Sequence, residues 1–365
     1  MWKQQLDTKG YAIVEGVLDA PECAALARGF WSFFETLSLG KLKQADEASW
    51  KSIYDFFPNH GMLQQHFQIG HMQEIWDVRQ HQNVHRTFKR IWKNKDLTVS
   101  FDGASFGLKP EVTNRGWQKK GWLHLDQSPH RSDFECAQGW VTALDVEKGD
   151  ATLTVLEGSH LLHGEFAKRF QLDQDKTFRN DWLKLEPEHI AWYKAQGCEQ
   201  RYIECAAGSM VLWDSRTVHA GQSPTRGREH PKNRIVCYVS MMPQKLLTAR
   251  EREKKQWAAL RGRMTTHWAA AHVKLFGKHP RTYGKPLPVV PDMALPLFNA
   301  RSAYLAGWED PCKCPLTIVD PAERRAAVRA LVASQDAAKA ARVAANKAKS
   351  NKRKREAKPV KISFK

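Results

Sequence analysis

The spacing of apolar and polar residues divides the first part of the chain into a helical region and a strand-rich region. Residues 10–37 begin with a short apolar run, GYAIVEGVL, and continue with apolar residues at helical spacing. Asp19 is placed to cap this helix, and Pro21 falls in its first turn, where a missing N–H costs nothing. Residues 71–92 repeat the helical spacing. The sequence therefore predicts a helical N-terminal part over residues 1–96.

From residue 97 onward the spacing changes to short runs rich in β-branched and aromatic residues. The runs are DLTVSFDGASFG, GWVTALDV, ATLTVLEGSH, RYIECAAGSMVLWD and NRIVCYVSMMP. Many short strands separated by turn residues are typical of a β-sandwich or a jelly-roll barrel. We expect a β core over about residues 97–245, interrupted by an insertion of mixed helix and loop over about residues 161–200. The predicted fold class is mainly β with flanking helices.

The region after the strands predicts one further packed helix and a separate tail. Residues 245–276 have the spacing of a helix that returns to pack on the β core. This helix would complete a single domain over residues 1–300. Residues 301–319 are expected to form a linker, and residues 320–365 a basic tail that runs from helix to disorder.

The formal net charge of +18 is concentrated in the tail, where 14 Lys and Arg face three acidic residues from Glu323 onward, a net +11. A helix start is expected at Asp320, with Pro321 in the first helical position. The far end carries four consecutive basic residues: Lys352, Arg353, Lys354 and Arg355. Such a run is typical of a nuclear-localisation signal or a nucleic-acid-binding patch, and also of a solubilising disordered end. We therefore expect a cytoplasmic or nuclear protein whose tail has nucleic acid as a candidate partner.

The composition indicates a folded protein from a reducing compartment. A chain of 365 residues with 42% hydrophobic residues, 14 Trp and 16 Phe can bury a substantial core. The seven cysteines are odd in number and scattered, which favours free thiols. No apolar run has the length of a membrane span, and the first residues lack the apolar core of a signal peptide. No feature of the pattern specifies an oligomeric state.

Three residues that can bind a metal lie at the ends of predicted strands. His124 and Asp126 are two residues apart in the strand-like run GWLHLDQSP, so both side chains point to one face. His219 ends a later predicted strand, in SMVLWDSRTVHAG. Two imidazoles and one carboxylate at the mouth of a β-barrel form a facial triad, which leaves three positions of an octahedral iron(II) open. The alternative is a buried hydrogen-bonded network that stabilises the barrel rim.

An arginine at the head of the last strand extends this pattern. Arg234 begins RIVCYVSM, 15 residues after His219. A guanidinium pointing into the barrel would hold the far carboxylate of a dicarboxylate in bidentate fashion. The alternative is a surface arginine, or an arginine in an ion pair, at the start of a strand, and Arg226 or Arg228 could take the same role. Asp102, in SFDG, could face a substrate or stabilise a turn.

These segments resemble the phytanoyl-CoA dioxygenase family of iron(II)- and 2-oxoglutarate-dependent oxygenases. The resemblance rests on HLDQSP, QGWVTALDVEKGDATLTVLEGSH, GSMVLWDSRTVHAG and RIVCYVSMMP, and covers about residues 8–245. Two later segments, GRMTTHW and HPRTYG, are similar to a subset of the family's members. The resemblance implies a double-stranded β-helix, iron(II) bound by His124, Asp126 and His219, and 2-oxoglutarate bound by Arg234.

The resemblance also implies an enzyme that hydroxylates a C–H bond while 2-oxoglutarate is converted to succinate and CO2. The substrate is expected to be a small molecule or a lipid-derived molecule, and the basic tail leaves a nucleobase or a chromatin-associated substrate open. Acyl-CoA specificity does not follow from the resemblance, because specificity in such a fold depends on the loops around the shared core. The alternative from a different class is a non-catalytic jelly-roll binding protein that holds nucleic acid through its basic tail. The intact set of candidate ligands favours the enzyme.

Overall fold

The computed structural model describes residues 1–58, 63–117, 121–178, 180–277, 279–282, 284 and 286–356. Helices hold 40% of the residues and strands 16%. The strands form antiparallel sheets of jelly-roll type, so the expected double-stranded β-helix core is confirmed. The fold contains more helix than the expected mainly β class implies, because helices precede, interrupt and follow the strands and outweigh them in length.

The helices and strands of the described residues have the following bounds. The α-helices are α1 (Trp2–Lys9), α2 (Ala20–Leu37), α3 (Ile53–Phe56), α4 (Gln73–Gln80), α5 (Gln82–Trp92), α6 (Pro110–Thr113), α7 (His163–Arg169), α8 (Pro187–Ala195), α9 (Ala249–Leu260), α10 (Ala300–Leu305) and α11 (Pro321–Glu356). The strands are β1 (Tyr11–Val14), β2 (Leu97–Val99), β3 (Ala104–Gly107), β4 (His124–Leu125), β5 (Ala137–Thr142), β6 (Thr152–Leu156), β7 (Leu183–Lys184), β8 (Gln200–Tyr202), β9 (Met210–Asp214), β10 (His219–Gln222), β11 (Arg234–Val239) and β12 (Met241–Pro243).

Two five-stranded antiparallel sheets form the centre of the protein. One has the strand order β1-β9-β5-β11-β3 and the other β7-β4-β10-β6-β8, and a short pair joins β12 to β2. An apolar cluster between the two sheets takes Trp140 and Val211 from the first and Leu153 and Val155 from the second. Because each strand alternates its side chains, one set of residues fills this interior while the other faces the flanking helices.

The N-terminal helices cover the first sheet with aromatic side chains. Helix α2 begins as the sequence predicts, since Asp19 accepts a hydrogen bond from the Glu22 N–H and Glu22 accepts one from the Asp19 N–H, both at 2.9 Å. Phe30 and Phe34 of this helix stack on Phe106 of β3, with ring centroids 5.8 and 4.4 Å apart. The stacked rings fix the helix on the sheet and contribute to the largest core cluster.

The helical segment predicted over residues 71–92 consists of two helices, α4 and α5, which meet at His81. His81 has an extended backbone with ψ at 137°, and its Nδ1 accepts a hydrogen bond from the Asn83 N–H at 3.3 Å. The side chain thus caps the second helix.

The helix predicted over residues 245–276 is shorter than expected, since α9 ends at Leu260. Gly262 follows with a φ of +58°, and a Cβ at this position would lie 2.5 Å from the Gln68 side chain. The chain therefore turns away after the helix through a backbone conformation that glycine adopts more easily than other residues. Residues 261–276 then run along the barrel, where Thr265 donates its N–H to the Phe101 carbonyl oxygen at 3.0 Å.

The expectation of a linker over residues 301–319 is wrong. This segment contains most of α10 and buries three large side chains in the main core cluster: Leu305, Trp308 and Leu316. The pattern of apolar residues here is too short and too interrupted by Pro and Gly for sequence spacing to reveal its burial.

Helix α11 begins as predicted, with Asp320 accepting a hydrogen bond from the Glu323 N–H at 2.7 Å. Arg261 anchors the helix by donating to Gln335 and to Asp336, both at 2.7 Å. The helix continues to Glu356, and residues 357–365 of the predicted tail lie outside the described residues. Among the described helices, none combines the length and the apolar character that a membrane crossing requires.

Two truncated chains test whether residues 301–319 belong to the folded domain. A chain ending at residue 299 should unfold at a much lower temperature than the full-length protein, because each large apolar side chain that loses its burial costs about 1.5–3 kcal/mol. A chain ending at residue 337 keeps the Arg261 contacts and should unfold close to the full-length temperature. Calorimetry measures both. If the shorter chain unfolds cooperatively at the same temperature as the full-length protein, residues 301–319 are a linker after all.

Candidate active site

Strand pairing brings the two predicted histidine ligands together. His219, the first residue of β10, lies directly opposite His124 of β4, and their ring centroids are 4.3 Å apart. Directly opposed residues of an antiparallel pair point to the same face. Asp126 follows β4 immediately and turns its carboxylate to both rings.

The potential ligand atoms of His124, Asp126 and His219 converge on one point. The Asp126 oxygens lie 3.7 Å from Nε2 of His124 and 3.4 Å from Nε2 of His219, and one ligand atom from each residue lies within 4.8 Å of the others. Nδ1 of His124 lies 3.1 Å from the Trp122 carbonyl oxygen, and Nδ1 of His219 lies 2.8 Å from that of Thr217. Since each Nδ1 donates its hydrogen to a carbonyl, each Nε2 has a free lone pair for a metal.

The burial of these groups sets their protonation. Burial, reinforced by the neighbouring His219, lowers the pKa of His124 to about 4, so this imidazole is neutral at pH 7. Burial alone would raise the pKa of Asp126, but the two adjacent imidazoles hold it well below its usual range. Neutral imidazoles and an ionised carboxylate are the forms that bind a metal. Two nitrogens and one oxygen that leave open positions suit iron(II).

Two further side chains approach the Asp126 carboxylate. Gln138 of β5 donates from Nε2 to Oδ2 of Asp126 at 3.1 Å. His267 lies with Nδ1 4.0 Å from the same oxygen, is only 9% exposed, and has no hydrogen-bond partner for Nε2 among the described residues. Burial lowers the pKa of His267 and keeps it neutral at pH 7. Gln138 therefore orients the carboxylate, and His267 adds a buried nitrogen beside it.

Arg234 lies inside the barrel, where it is 5% exposed. Its Nε donates to Ser105 Oγ at 3.1 Å, one of its terminal nitrogens donates to the Ala151 carbonyl oxygen at 2.9 Å, and its guanidinium lies 5.1 Å from the centre of the Trp140 ring. No acidic side chain of the described residues forms an ion pair with it. Tyr238 also hydrogen-bonds this side chain, so the guanidinium is held in place by neutral partners.

The two competing arginines have other contacts. Arg228 is almost fully buried and forms ion pairs with Asp150, at 2.6 Å, and with Glu111. Arg226 is exposed and lies over the Trp117 ring at 4.4 Å. This leaves Arg234 as the arginine whose charge lies inside the barrel.

Sequence spacing missed Gln138 and His267. Gln138 lies in a segment that carries the family resemblance, and His267 lies in GRMTTHW. Neither segment has a pattern that identifies the role of these two residues. Asp102, left open by the sequence, accepts hydrogen bonds from the Gly103 N–H at 2.7 Å and from Gln65 at 3.3 Å, which matches the turn interpretation. Burial raises the pKa of Asp102 to about 6.

Fold and site together indicate an oxygenase of jelly-roll type, with two histidines and one aspartate placed so that they could hold a metal ion. Residues 6–226, more than half of the chain, match the model of the phytanoyl-CoA dioxygenase family. The protein belongs to this family. The matched region contains His124, Asp126 and His219 and ends before Arg234. The protein is accordingly a 2-oxoglutarate-dependent oxygenase that uses iron.

Several relatives are similar over most of their length. The chain is 24% identical over 260 residues to Ava biosynthesis cluster protein O of Aspergillus versicolor, covering 70% of this chain and 82% of the relative. It is 20% identical over 250 residues to a phytanoyl-CoA dioxygenase-like protein of Dictyostelium discoideum, covering 59% and 68%. Among solved structures, a hypothetical protein of Escherichia coli has a TM-score of 0.50 at 14% identity, covering 73% of this chain and 74% of the other. That similarity concerns the fold.

Removal of the carboxylate should abolish metal binding. In Asp126→Ala the two imidazoles remain without an anionic partner, so affinity for manganese(II), used as a surrogate, should fall below detection in a calorimetric titration. Asp102→Asn changes another buried carboxylate of the same barrel and should bind the ion as the unaltered protein does. Equal affinity in Asp126→Ala would disprove the assigned site.

Loss of the Gln138 hydrogen bond should weaken the same binding without eliminating it. Gln138→Leu keeps the side-chain volume but leaves the second Asp126 oxygen without its donor. Partners of this kind affect metal affinity by roughly 10- to 100-fold. A manganese affinity within twofold of the unaltered protein would show that the carboxylate needs no such support.

Proposed function

We propose that the protein hydroxylates a C–H bond of a small-molecule substrate, with iron(II) bound by His124, Asp126 and His219 and with 2-oxoglutarate held by Arg234. The observation that carries the proposal is the convergence of two carbonyl-oriented imidazoles and one carboxylate in a member of this family. Bound iron(II) and 2-oxoglutarate would together activate O2, with release of succinate and CO2 and transfer of one oxygen atom to the substrate.

Hydrogen bonds from the backbone and from one side chain orient the three proposed ligands. The carbonyl oxygens of Trp122 and Thr217 fix both imidazole rings with Nε2 facing the metal position. Gln138 holds one oxygen of Asp126, which leaves the other oxygen for the metal. Such fixed partners keep the donor atoms in place when co-substrate and substrate enter.

Arg234 is suited to the end of 2-oxoglutarate that lies away from the metal. Its buried guanidinium is oriented by Ser105 and by the Ala151 carbonyl oxygen, and the Trp140 ring lies beside it. A dicarboxylate would supply the anion that this buried charge lacks, and the low local polarity would strengthen the pair.

The substrate is expected to be a small organic molecule. The Aspergillus versicolor relative has a name that assigns it to a biosynthesis cluster, which is consistent with a small-molecule substrate here. The walls around the metal position come from the insertion at residues 161–200 and from residues 261–276, since Trp182 and His267 both lie beside the proposed ligands. These segments, and not the shared core, would determine specificity.

The proposed function is tested by succinate release. Purified protein with iron(II), ascorbate, 2-oxoglutarate and O2 should release succinate in the presence of a small-molecule library, and His219→Ala should not. A product that has gained one oxygen, detected by mass spectrometry, would establish hydroxylation. Absence of both iron binding and 2-oxoglutarate turnover would refute the proposal and favour a non-catalytic binding protein.

Substitution of Arg234 should affect the co-substrate and spare the metal. Arg234→Ala removes the charge that pairs with the dicarboxylate, and loss of such a pair costs roughly 2–5 kcal/mol. The apparent KM for 2-oxoglutarate should therefore rise by at least about 30-fold, which corresponds to the lower end of that range. Manganese affinity should stay within a few-fold, because Arg234 contacts none of the proposed ligands. Arg226→Ala, which removes an exposed arginine, should leave both values unchanged. The reverse outcome would assign the co-substrate to Arg226.

We also propose that the basic tail binds nucleic acid or directs the protein to the nucleus. The observation in favour is that α11 extends 20 residues beyond its Arg261 anchor at Asp336, with basic residues along its sequence. The chain ending at residue 337 should bind duplex DNA or RNA more weakly than the full chain, with a shallower dependence on salt, because fewer counterions are released. Equal salt dependence of the two chains would remove the tail as a nucleic-acid site.

A further inference from the structure

Two exposed tryptophans border the proposed metal site. The Trp122 ring stacks on the His124 ring with centroids 4.5 Å apart and an angle of 15°, and 39% of the residue is exposed. The Trp182 ring lies 6.0 Å from the same imidazole at an angle of 40°, and 48% of that residue is exposed. Exposed indoles are costly in water, and their position beside a ligand residue indicates a binding surface.

The Trp122 indole is held by a hydrogen bond, and Trp182 lies next to a strand of the same sheet. Trp122 donates from Nε1 to the Gly221 carbonyl oxygen of β10 at 3.0 Å. Trp182 immediately precedes β7, which pairs with the strand that carries His124. The side of the opening formed by the indoles therefore needs little reorganisation, which favours a rigid partner over a flexible one.

Asp181 ties the position of Trp182 to the rest of the site. Its carboxylate accepts from Arg131 at 2.6 Å and from Lys274 at 2.7 Å. These two ion pairs join the insertion at residues 161–200 to the loop before β5 and to the segment that carries His267. Arg131 also lies over the ring of Trp268, the chain neighbour of His267, at 5.5 Å.

His267 adds one polar atom on another side of the proposed metal ligands, with its Nδ1 4.0 Å from Asp126. Its Nε2 is buried and has no hydrogen-bond partner among the described residues. A buried polar nitrogen without a partner is destabilising, and native proteins rarely tolerate one unless water or a ligand satisfies it. The backbone on either side is held, since Thr265 pairs with Phe101 and Lys255 donates to the Ala269 carbonyl oxygen.

We propose that the substrate of the oxygenase site carries a flat, aromatic or conjugated ring system that stacks against Trp122 and Trp182, together with a hydroxyl or carbonyl group that hydrogen-bonds His267. This inference rests on the proposed function and narrows its substrate class. A saturated acyl chain gains nothing from the flat face of an indole beyond burial, whereas a planar ring gains the additional interaction between aromatic pairs.

Binding of two matched probes tests the ring. 2-Naphthol and decahydro-2-naphthol share ten carbons and one hydroxyl group and differ in planarity. The full-length protein, loaded with zinc(II) and 2-oxoglutarate so that no turnover occurs, is titrated with each probe by ligand-observed NMR. We expect 2-naphthol to bind more tightly, by roughly two- to tenfold for each indole engaged.

Substitutions locate this preference. Trp182→Leu and Trp122→Leu should each reduce the preference for 2-naphthol, and Trp182→Phe should restore part of it because an aromatic face returns. Tyr202→Leu removes another exposed aromatic side chain, on β8, two strands away from β10 in the same sheet, and should leave the preference intact. Equal binding of both probes, or a preference unaffected by either tryptophan substitution, would overturn the proposal. Tighter binding of decahydro-2-naphthol would favour a saturated, lipid-derived substrate.

A third probe tests His267. Naphthalene lacks the hydroxyl group, so it should bind more weakly than 2-naphthol to the unaltered protein. In His267→Leu this difference should disappear, whereas His267→Asn, which keeps a hydrogen-bonding group, should retain part of it. Retention of the full difference in His267→Leu would remove His267 from the substrate site.

The metal and 2-oxoglutarate affinities of each variant separate this inference from the proposed function. If zinc and 2-oxoglutarate bind but no probe shows the expected preference, the substrate class is wrong and the oxygenase assignment stands. If neither zinc nor 2-oxoglutarate binds to the unaltered protein, the proposed function itself fails.

Discussion

The antiparallel pairing of β10 with β4 is the constraint on which the site depends. It places His219 opposite His124, with Asp126 at the end of the same short strand. Because side chains alternate along a strand, a slip of one residue in this register would turn one imidazole to the opposite face. On its other side β10 pairs with β6 over four residues, from His219 opposite Val155 to Gln222 opposite Thr152, and this longer contact fixes the register that the two-residue strand β4 could not secure alone.

Burial explains why the donor groups are ready for a metal. The same carbonyl oxygens that satisfy Nδ1 of each imidazole belong to residues two positions earlier in the chain, Trp122 and Thr217. The backbone that carries each ligand therefore also orients it. Burial keeps His124 neutral, and the surrounding imidazoles keep Asp126 ionised, so little protonation change is needed for metal to bind. Gln138, from the other sheet, links the carboxylate to the centre of the barrel.

The residues that the sequence predicted well are those whose role follows from local pattern. The H-x-D spacing and the cap at Asp19 are each encoded within a few residues, and the structure places them as expected. The sequence predicts that His219 ends a strand; it lies beside His124 and Asp126 as predicted, but it is the first residue of β10, because β9 already ends at Asp214. His267 could not be identified in this way, because its approach to Asp126 depends on the turn that the chain makes at Gly262, just after α9. The burial of residues 301–319 likewise results from packing on distant residues, which spacing does not encode.

The site thus combines two kinds of structure with different tolerance for change. The proposed metal position depends on strand register, because a shift of one residue would turn a proposed ligand away from it. The surfaces around it come from the insertion that carries Trp182 and the C-terminal segment that carries His267, and Asp181 joins the two by accepting from Lys274. Since neither segment contributes to the pairing of β10 with β4, their sequences can diverge while the metal position is preserved. A relative with the same three proposed ligands could therefore act on a different molecule, because family membership indicates the chemistry whereas the surrounding segments can differ.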